Sequence, residues 1–585
     1  MKKKGLFRLA AGILILALVA IPLMAGCGAP EEAPPTTPTT PTTPTTPTTP
    51  TTPTTPATPA TPVGPPYDEE LVILGTSLGT EASLTMWGTW LDRIQWSHTY
   101  ESLISANFET GLPDVPDLAE SWDVSDDATK YTFHLRKGIQ FQDGWGELTA
   151  EDVKYTIDLE LCEESISSAI EYFKPIDVVV EDPYTVVFNT PEPDWMLPSY
   201  LTDRGIVCKK YVEEVGFNEA DRNPIGSGPY KYHSRRPGDY ITWEAVPDHW
   251  RITPEFKYVT VKTVPEISTS IAMLRTGEAD IIQIPIAKYP EVEEAGFRML
   301  TNPGGRLYWV VWPGPPHLPT HPEFRPEPWW DDPANTEAWE NAWKVRKALT
   351  LAVNRYEIND VLFHGLGTLF PPAPYAWPHQ IGCGYDTAWN DEIPPYDPEQ
   401  AKQLLAEAGW PNGFDITIVL LDHAGRPEGP ALGEAVAIYW EEVGLNVKRV
   451  PMDYATLRPS RVAHTLHGIA WPYGLGYRAL NEYYCFATGH SECRHHNTAL
   501  SEVTDELALK IAAEVDPVKR QELARQWNEW QVDNYGILPL VGKPGVWAVG
   551  KRVGERPFEP GISFDTQTLE YITLSDSAKE ALGIK

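Results

Sequence analysis

The clearest periodic stretch of the chain is residues 130–136, where Tyr131, Phe133 and Leu135 alternate with Thr132, His134 and Arg136. A period of two puts the three apolar side chains on one face and predicts a half-buried strand. Residues 71–74 are uniformly apolar and stop at Gly75, as a fully buried strand would. Residues 178–180 and 185–188 flank Asp182-Pro183, the punctuation of a hairpin. Segments 240–246, 258–264, 281–284, 416–421 and 445–450 extend the set of strands.

Elsewhere the spacing is helical. Val345, Ala348, Leu349 and Ala352 share one face; Leu432, Val436, Tyr439, Trp440 and Val443 share another, closed by Gly444. Helix starts are marked by Thr149 with Asp152, by Asp397-Pro398 with Gln400, and by Asp516-Pro517. A short helix at 267–275 ends before Gly277. Strands and helices in two separated batches predict an α/β chain of more than one lobe, and 585 residues are too many for one core.

The ends of the chain read differently. Lys2, Lys3, Lys4 and Arg8 precede an apolar run, Leu9 to Met24, and Ala25-Gly26-Cys27 follows: the order of a secretory signal. Leu-Met-Ala-Gly-Cys resembles a bacterial lipobox, which makes Cys27 the expected lipidated first residue and residues 1–26 a signal peptide. Seven Thr-Thr-Pro repeats fill Thr36 to Pro56. Proline fixes φ and removes donors, so this is an extended spacer, reaching roughly 80 Å from Thr36 to Pro62 at ~3.1 Å per residue. A formal charge of −34 argues against nucleic acid as a partner. No later stretch is long and apolar enough to span a bilayer.

No Gly-x-Ser-x-Gly elbow, Walker loop or His-Glu-x-x-His helix occurs, and no cofactor or catalytic residue is assigned. Cys485, His490, Cys493, His495 and His496 are good ligand types for a metal, but their spacing fits no tight signature. In an oxidising compartment a Cys485–Cys493 disulfide is the preferred reading, and no metal site is assigned. The stronger signal is aromatic. Of 22 Trp and 26 Tyr, several lie in Pro/Gly-rich segments: Trp87, Trp90, Trp309, Trp312, Trp377, Trp389, Trp471 and Tyr473. Rigid aromatics on loops build stacking walls for a ligand.

A series of motifs then resembles one family, the oligopeptide/dipeptide/nickel class of ABC-transporter solute-binding proteins, family 5. Tyr100-Glu-Ser-Leu103 matches its early element. PDLAESWDVSDDATKYTFHLRKGIQFQDGWGELTAEDVKYTI, residues 116–157, is its most specific signature. NPIGSGPYKY (223–232, with Ser227 in place of Thr), LRTGEADI (274–281), VRKALTLAVNRYEI (345–358) and YDPEQAKQLLAEAG (396–409) follow in order.

The resemblance implies a two-lobed periplasmic-binding-protein-like fold of type II, with an extra subdomain in the first lobe. Residues 67–112, 113–222 (the subdomain) and 223–308 would form lobe I, 309–542 lobe II, and 543–585 a return to lobe I, behind a linker at 27–66. It further implies no enzyme, but an extracytoplasmic, membrane-anchored monomer that binds a solute between lobes for ABC permease subunits. The default ligand is an oligopeptide, with an oligosaccharide or metal complex as alternatives and a secreted carbohydrate-active hydrolase as the rival class. Ligand contacts are expected from Trp87, Tyr100, Trp309, Trp312, Trp377, Trp471 and Tyr473. Two departures stand out. The segment after Trp471 reads Pro-Tyr-Gly-Leu-Gly, without the acid that pairs with a peptide amino group in relatives. The second lobe opens with Val311-Trp312-Pro313-Gly314 and a Pro/Trp-rich insertion running to Trp343.

Overall fold

The structure is a computed structural model. It describes residues 67–554, apart from 76, 80, 85–95, 107–112, 164, 166, 168, 203, 313–325, 333, 374–383, 424–425, 463–467 and 476–501, together with residues 569–582. Its main strands in chain order are β1 (Tyr67–Gly75), β2 (Ala119–Val124), β3 (Lys130–Leu135), β4 (Asp177–Asp182), β5 (Thr185–Asn189), β6 (Tyr230–Arg236) and β7 (Tyr240–Ala245). There follow β8 (Phe256–Thr263), β9 (Ile281–Gln283), β10 (Arg298–Val311), β11 (Asp415–Asp422), β12 (Asn446–Asp453), β13 (Ile469–Leu475) and β14 (Leu538–Val549). The helices that matter below are α1 (Ala150–Glu160), α2 (Thr336–Leu351), α3 (Gly429–Glu442), α4 (Tyr454–Val462) and α5 (Pro517–Asp533).

Local chemistry explains most of these elements. In β3, Tyr131, Phe133 and Leu135 are buried and the intervening residues are not, as the alternation requires. Helix α1 begins with a capping box in which the Asp152 carboxylate accepts from the Thr149 amide at 2.9 Å. Asp516 caps α5 by accepting from the amides of Val518 and Lys519.

Ten strands form one sheet in the order β6-β7-β8-β1-β9-β14-β10-β13-β11-β12, and β2-β3-β5-β4 form a separate four-stranded sheet. The long strands β10 and β14 run antiparallel through the middle of the large sheet. Arg298 to Thr301 pair with Val549 to Val546, and β14 there also pairs with β9; Trp309 and Val310 pair with Pro539 and Leu538, and β10 there also pairs with β13. The same two strands therefore belong to both halves of the molecule. Their pairing is irregular between Asn302 and Arg306 and again between Leu307 and Trp309, so the two crossings between lobes share both discontinuities.

Three buried clusters support the lobes, and the second is shared between them, since it also holds Leu74, Ile271 and Ile282 of the first lobe. One gathers Leu71, Tyr131, Phe133, Val153, Phe188, Trp243 and Val259, and so includes the four-stranded sheet as an extra subdomain of the first lobe. A second gathers Tyr308, Trp312, Trp329, Val345, Leu349, Ile418, Val436 and Trp440. A smaller third core contains Leu307, Trp309, Val311, Val419, Leu421, Trp471, Tyr473 and Ile537.

Candidate functional site

Strand β11 pairs in parallel with both β12 and β13. All three point their C-terminal ends the same way, the end at which ligands gather in parallel sheets. Three segments leave from there: His423 to Glu428 leading into α3, Tyr454 opening α4, and Tyr473 to Leu475 at the end of β13. Strand β10 lies beside β13, with Val311 opposite Trp471, Trp309 opposite Tyr473 and Tyr308 opposite Gly474.

This register assembles an aromatic wall. The Trp309 and Tyr473 rings meet edge-on with centroids 5.5 Å apart. Trp309, Trp471 and Tyr473 share the third core. The sequence placed these three on Pro/Gly-framed loops, and the structure corrects that: they lie on β10 and β13. Pro472 and Gly474 resemble turn residues, yet Gly474 is needed inside the ladder. A Cβ there would stand 2.7 Å from the Tyr308 ring and 3.1 Å from Arg306 Cδ. Trp312 joins the second core instead, stacked on Trp440 at 6.3 Å, and its Nε1 donates to the Tyr535 carbonyl at 3.0 Å. Tyr100 lies in the first-lobe core, where burial pushes its phenol well above the usual value. Trp389 packs with Ala373 and Val532. Trp87, Trp377, Cys27, Cys485 and Cys493 fall outside the described residues.

The aromatic wall meets a group of charged residues that the sequence did not single out. The Arg426 guanidinium lies 4.3 Å from the centre of the Tyr473 ring and 5.9 Å from that of Tyr454. Arg426 is 9% exposed, and its Nε and Nη1 are enclosed without a hydrogen-bond partner among the described residues. Arg306 stands opposite Lys543 on β14. Burial holds its guanidinium below the usual value, and Arg426 adds to that effect. His423, 4.9 Å from the Tyr454 ring, is lowered to about 4 by burial and by the charges of Arg426 and Arg306, so it is neutral near pH 7. Glu428 is engaged on both sides: Lys543 forms an ion pair with it, and the Tyr308 hydroxyl donates to it at 3.0 Å.

The place therefore combines stacking surface, enclosed cations and donors without acceptors. It has the makings of a site for an anionic group on a small solute, where charge-assisted bonds are strong. Arg426 did carry a signal in the sequence, as a lone basic residue between Gly425 and Pro427 just past a predicted strand. Arg306 and Lys543 carried none, because their proximity depends on pairing between strands more than two hundred residues apart. A different concavity, of about 320 Å³, lies in the extra subdomain against Trp145, Glu151, Cys208 and Lys209, with none of the candidate aromatics in its wall.

Comparison with known proteins converges on the same architecture. Residues 115–490 match the family described as "Bacterial extracellular solute-binding proteins, family 5 Middle". The chain is 28% identical over 381 residues to heme-binding protein A of Haemophilus influenzae, covering 60% of this chain and 64% of that protein. It is 28% identical over 383 residues to the dipeptide-binding protein of Escherichia coli, covering 59% and 65%. The matches thus span less than two thirds of either relative. The ABC transporter substrate binding protein CtaP of Listeria monocytogenes shares the fold, with a TM-score of 0.69 at 21% identity over 87% of this chain and all of that one. With two strands that run through both halves of its large sheet and the family match over most of its body, this chain belongs to the bacterial extracellular solute-binding proteins of family 5.

Proposed function

We propose that this protein captures a small peptide-like solute between its lobes, holds it by a carboxylate at Arg426, and delivers it to the permease of an ABC importer. The observation that carries the reading is the pair of enclosed, unpartnered donors, Nε and Nη1, of the Arg426 guanidinium above Tyr473. A buried donor without an acceptor is costly, and a ligand carboxylate bound across one edge of the guanidinium would satisfy one such donor together with Nη2. The resemblance to a dipeptide-binding protein favours peptides among carboxylate-bearing solutes. In this reading Trp309, Trp471 and Tyr473 are the stacking wall, and Trp312 supports the neighbouring core through Trp440. Tyr100, Trp87 and Trp377 remain candidate contacts. The order of basic, apolar and small residues before Cys27 supports a lipid anchor on the outer face of the membrane, with the Thr/Pro segment as tether. A Cys485–Cys493 bridge and a monomeric state complete the proposal.

Two experiments address it. Peptides of two to five residues added to the whole protein should raise its melting temperature by mass action, and Arg426→Met should abolish that rise. An equal rise in Arg426→Met, or a rise given only by neutral oligosaccharides, would contradict the reading. Separately, Cys27→Ser should move the protein from the membrane to the soluble fraction. Retention after a carbonate wash would refute lipidation.

A further inference from the structure

Arg426 is not the only arginine here that lacks a counter-charge. Neither Arg306 nor Arg426 makes a side-chain hydrogen bond or an ion pair among the described residues. The Glu428 carboxylate is occupied by Lys543 and Tyr308. Asp453, at the end of β12, is occupied by the amide and hydroxyl of Thr456 at 2.9 and 2.8 Å. Asp422, at the end of β11, is exposed and bonds neither guanidinium. Lys543 is spent on Glu428, and His423 is neutral near pH 7. What remains is two guanidiniums, that of Arg426 buried and that of Arg306 half-buried, and at Arg306 burial and the Arg426 charge outweigh the favourable charge of Glu428.

One carboxylate can take a two-pronged bond from one guanidinium. That would leave the second cation half-buried, without an ion pair among the described residues and within electrostatic reach of the first. We propose that Arg306 reads a second anionic group, so that the solute taken by this cleft is a peptide-like molecule carrying two carboxylates. Gly474 fits this role: it is the one residue type at that position that leaves Arg306 and Tyr308 their places. The proposal rests on the reading that Arg426 holds the first carboxylate of a peptide-like solute.

The test compares acids with their amides. The whole protein is titrated calorimetrically with Ala-Glu and Ala-Gln, and with Ala-Ala-Glu and Ala-Ala-Gln. The acidic peptide of at least one pair should bind about tenfold tighter or more, as a charge-assisted bond implies. In Arg306→Met that ratio should fall to within about twofold, and a cooperative thermal transition of the ligand-free variant shows that it is folded. Arg306→Lys, which keeps the charge but not the fork, should retain part of the preference. Equal affinity of acid and amide for the unsubstituted protein, or an undiminished ratio in Arg306→Met, overturns the proposal and leaves the Arg426 reading intact. Binding of none of the four peptides overturns both.

Discussion

Trp471 shows how much a single side chain can depend on its surroundings. It is 1% exposed, on a strand, and packed among Val419, Leu421 and Trp309. Truncating so large a buried aromatic costs about 3–5 kcal/mol through lost contacts and the cavity left behind. Trp471→Ala should therefore lower the melting temperature of the ligand-free protein by several degrees, and calorimetry would show it. An unchanged melting temperature would mean that the side chain faces open cleft. Tyr473 has a different balance, because one face of its ring carries the Arg426 guanidinium. Replacing it by Leu keeps most of the apolar packing and removes the π-face, which is worth about 0.5–2 kcal/mol to an adjacent cation. Binding should weaken more than stability falls, and parallel titration and thermal unfolding would separate the two.

At the scale of elements, the sequence showed the strands and helices that keep a simple period and concealed those that do not. Strand β3, helix α1 and the β4–β5 hairpin follow directly from alternation, a capping box and a turn dipeptide. Strands β13 and β14 contain Pro472, Pro539 and Pro544, and glycines at 474, 542 and 545, which locally signal turns. They are strands because neighbours on both sides supply the ladder, a tertiary effect that local propensity does not contain. The binding elements suffered most: Trp471 and Tyr473 lie on β13 and Lys543 on β14, so the aromatics were seen while their placement was not.

The C-terminal segment shows a second element-scale feature. Arg251 bonds Glu101, Glu570 and Tyr571, tying residues 569–571 to the first lobe. Burial opposes ionisation of Glu101, but His249 and Arg251 hold it below the usual carboxylate range. Burial raises Glu570, and it lifts Asp117 beside them to about 6. A carboxyl raised on folding takes up a proton between its ordinary value of about 3.9 and 6, so its contribution to stability is lost as pH rises through that window. Asp117→Asn cannot lose it. The variant's stability relative to the unsubstituted protein should improve from pH 4 to pH 7. A difference that does not vary with pH would show that Asp117 ionises normally.

For the whole molecule, the decisive feature is that the two lobes are coupled by more than the two crossing strands and the buried cluster they share. The Arg520 guanidinium, on α5 of the second lobe, lies 4.1 Å from the centre of the Trp195 ring in the extra subdomain of the first. Helix α5 is anchored in its own lobe by Trp530 against Trp339. A cation over an aromatic face contributes about 0.5–2 kcal/mol, which changes a two-state ratio by about two- to thirtyfold. With dyes at the exposed positions Asp177 and Ala406, Arg520→Ala should shift the distance distribution of the ligand-free protein toward separated lobes. An unchanged distribution would show that the contact does not hold them together. This contact was invisible in the sequence, as was the convergence of Arg306 and Arg426, since each depends on how distant segments meet. The ordered motifs, by contrast, marked the family and its two lobes without any geometry.

The central claim is that the cleft holds an anionic solute at Arg426, and the most direct measurement is of what the protein already carries. Whole protein purified without added ligand is denatured, and the small molecules released are identified and quantified by mass spectrometry. The account expects a carboxylate-bearing, peptide-like solute in near-equimolar amount, lost when Arg426→Met is treated in the same way. An equimolar neutral or cationic solute, retained in Arg426→Met, would contradict it.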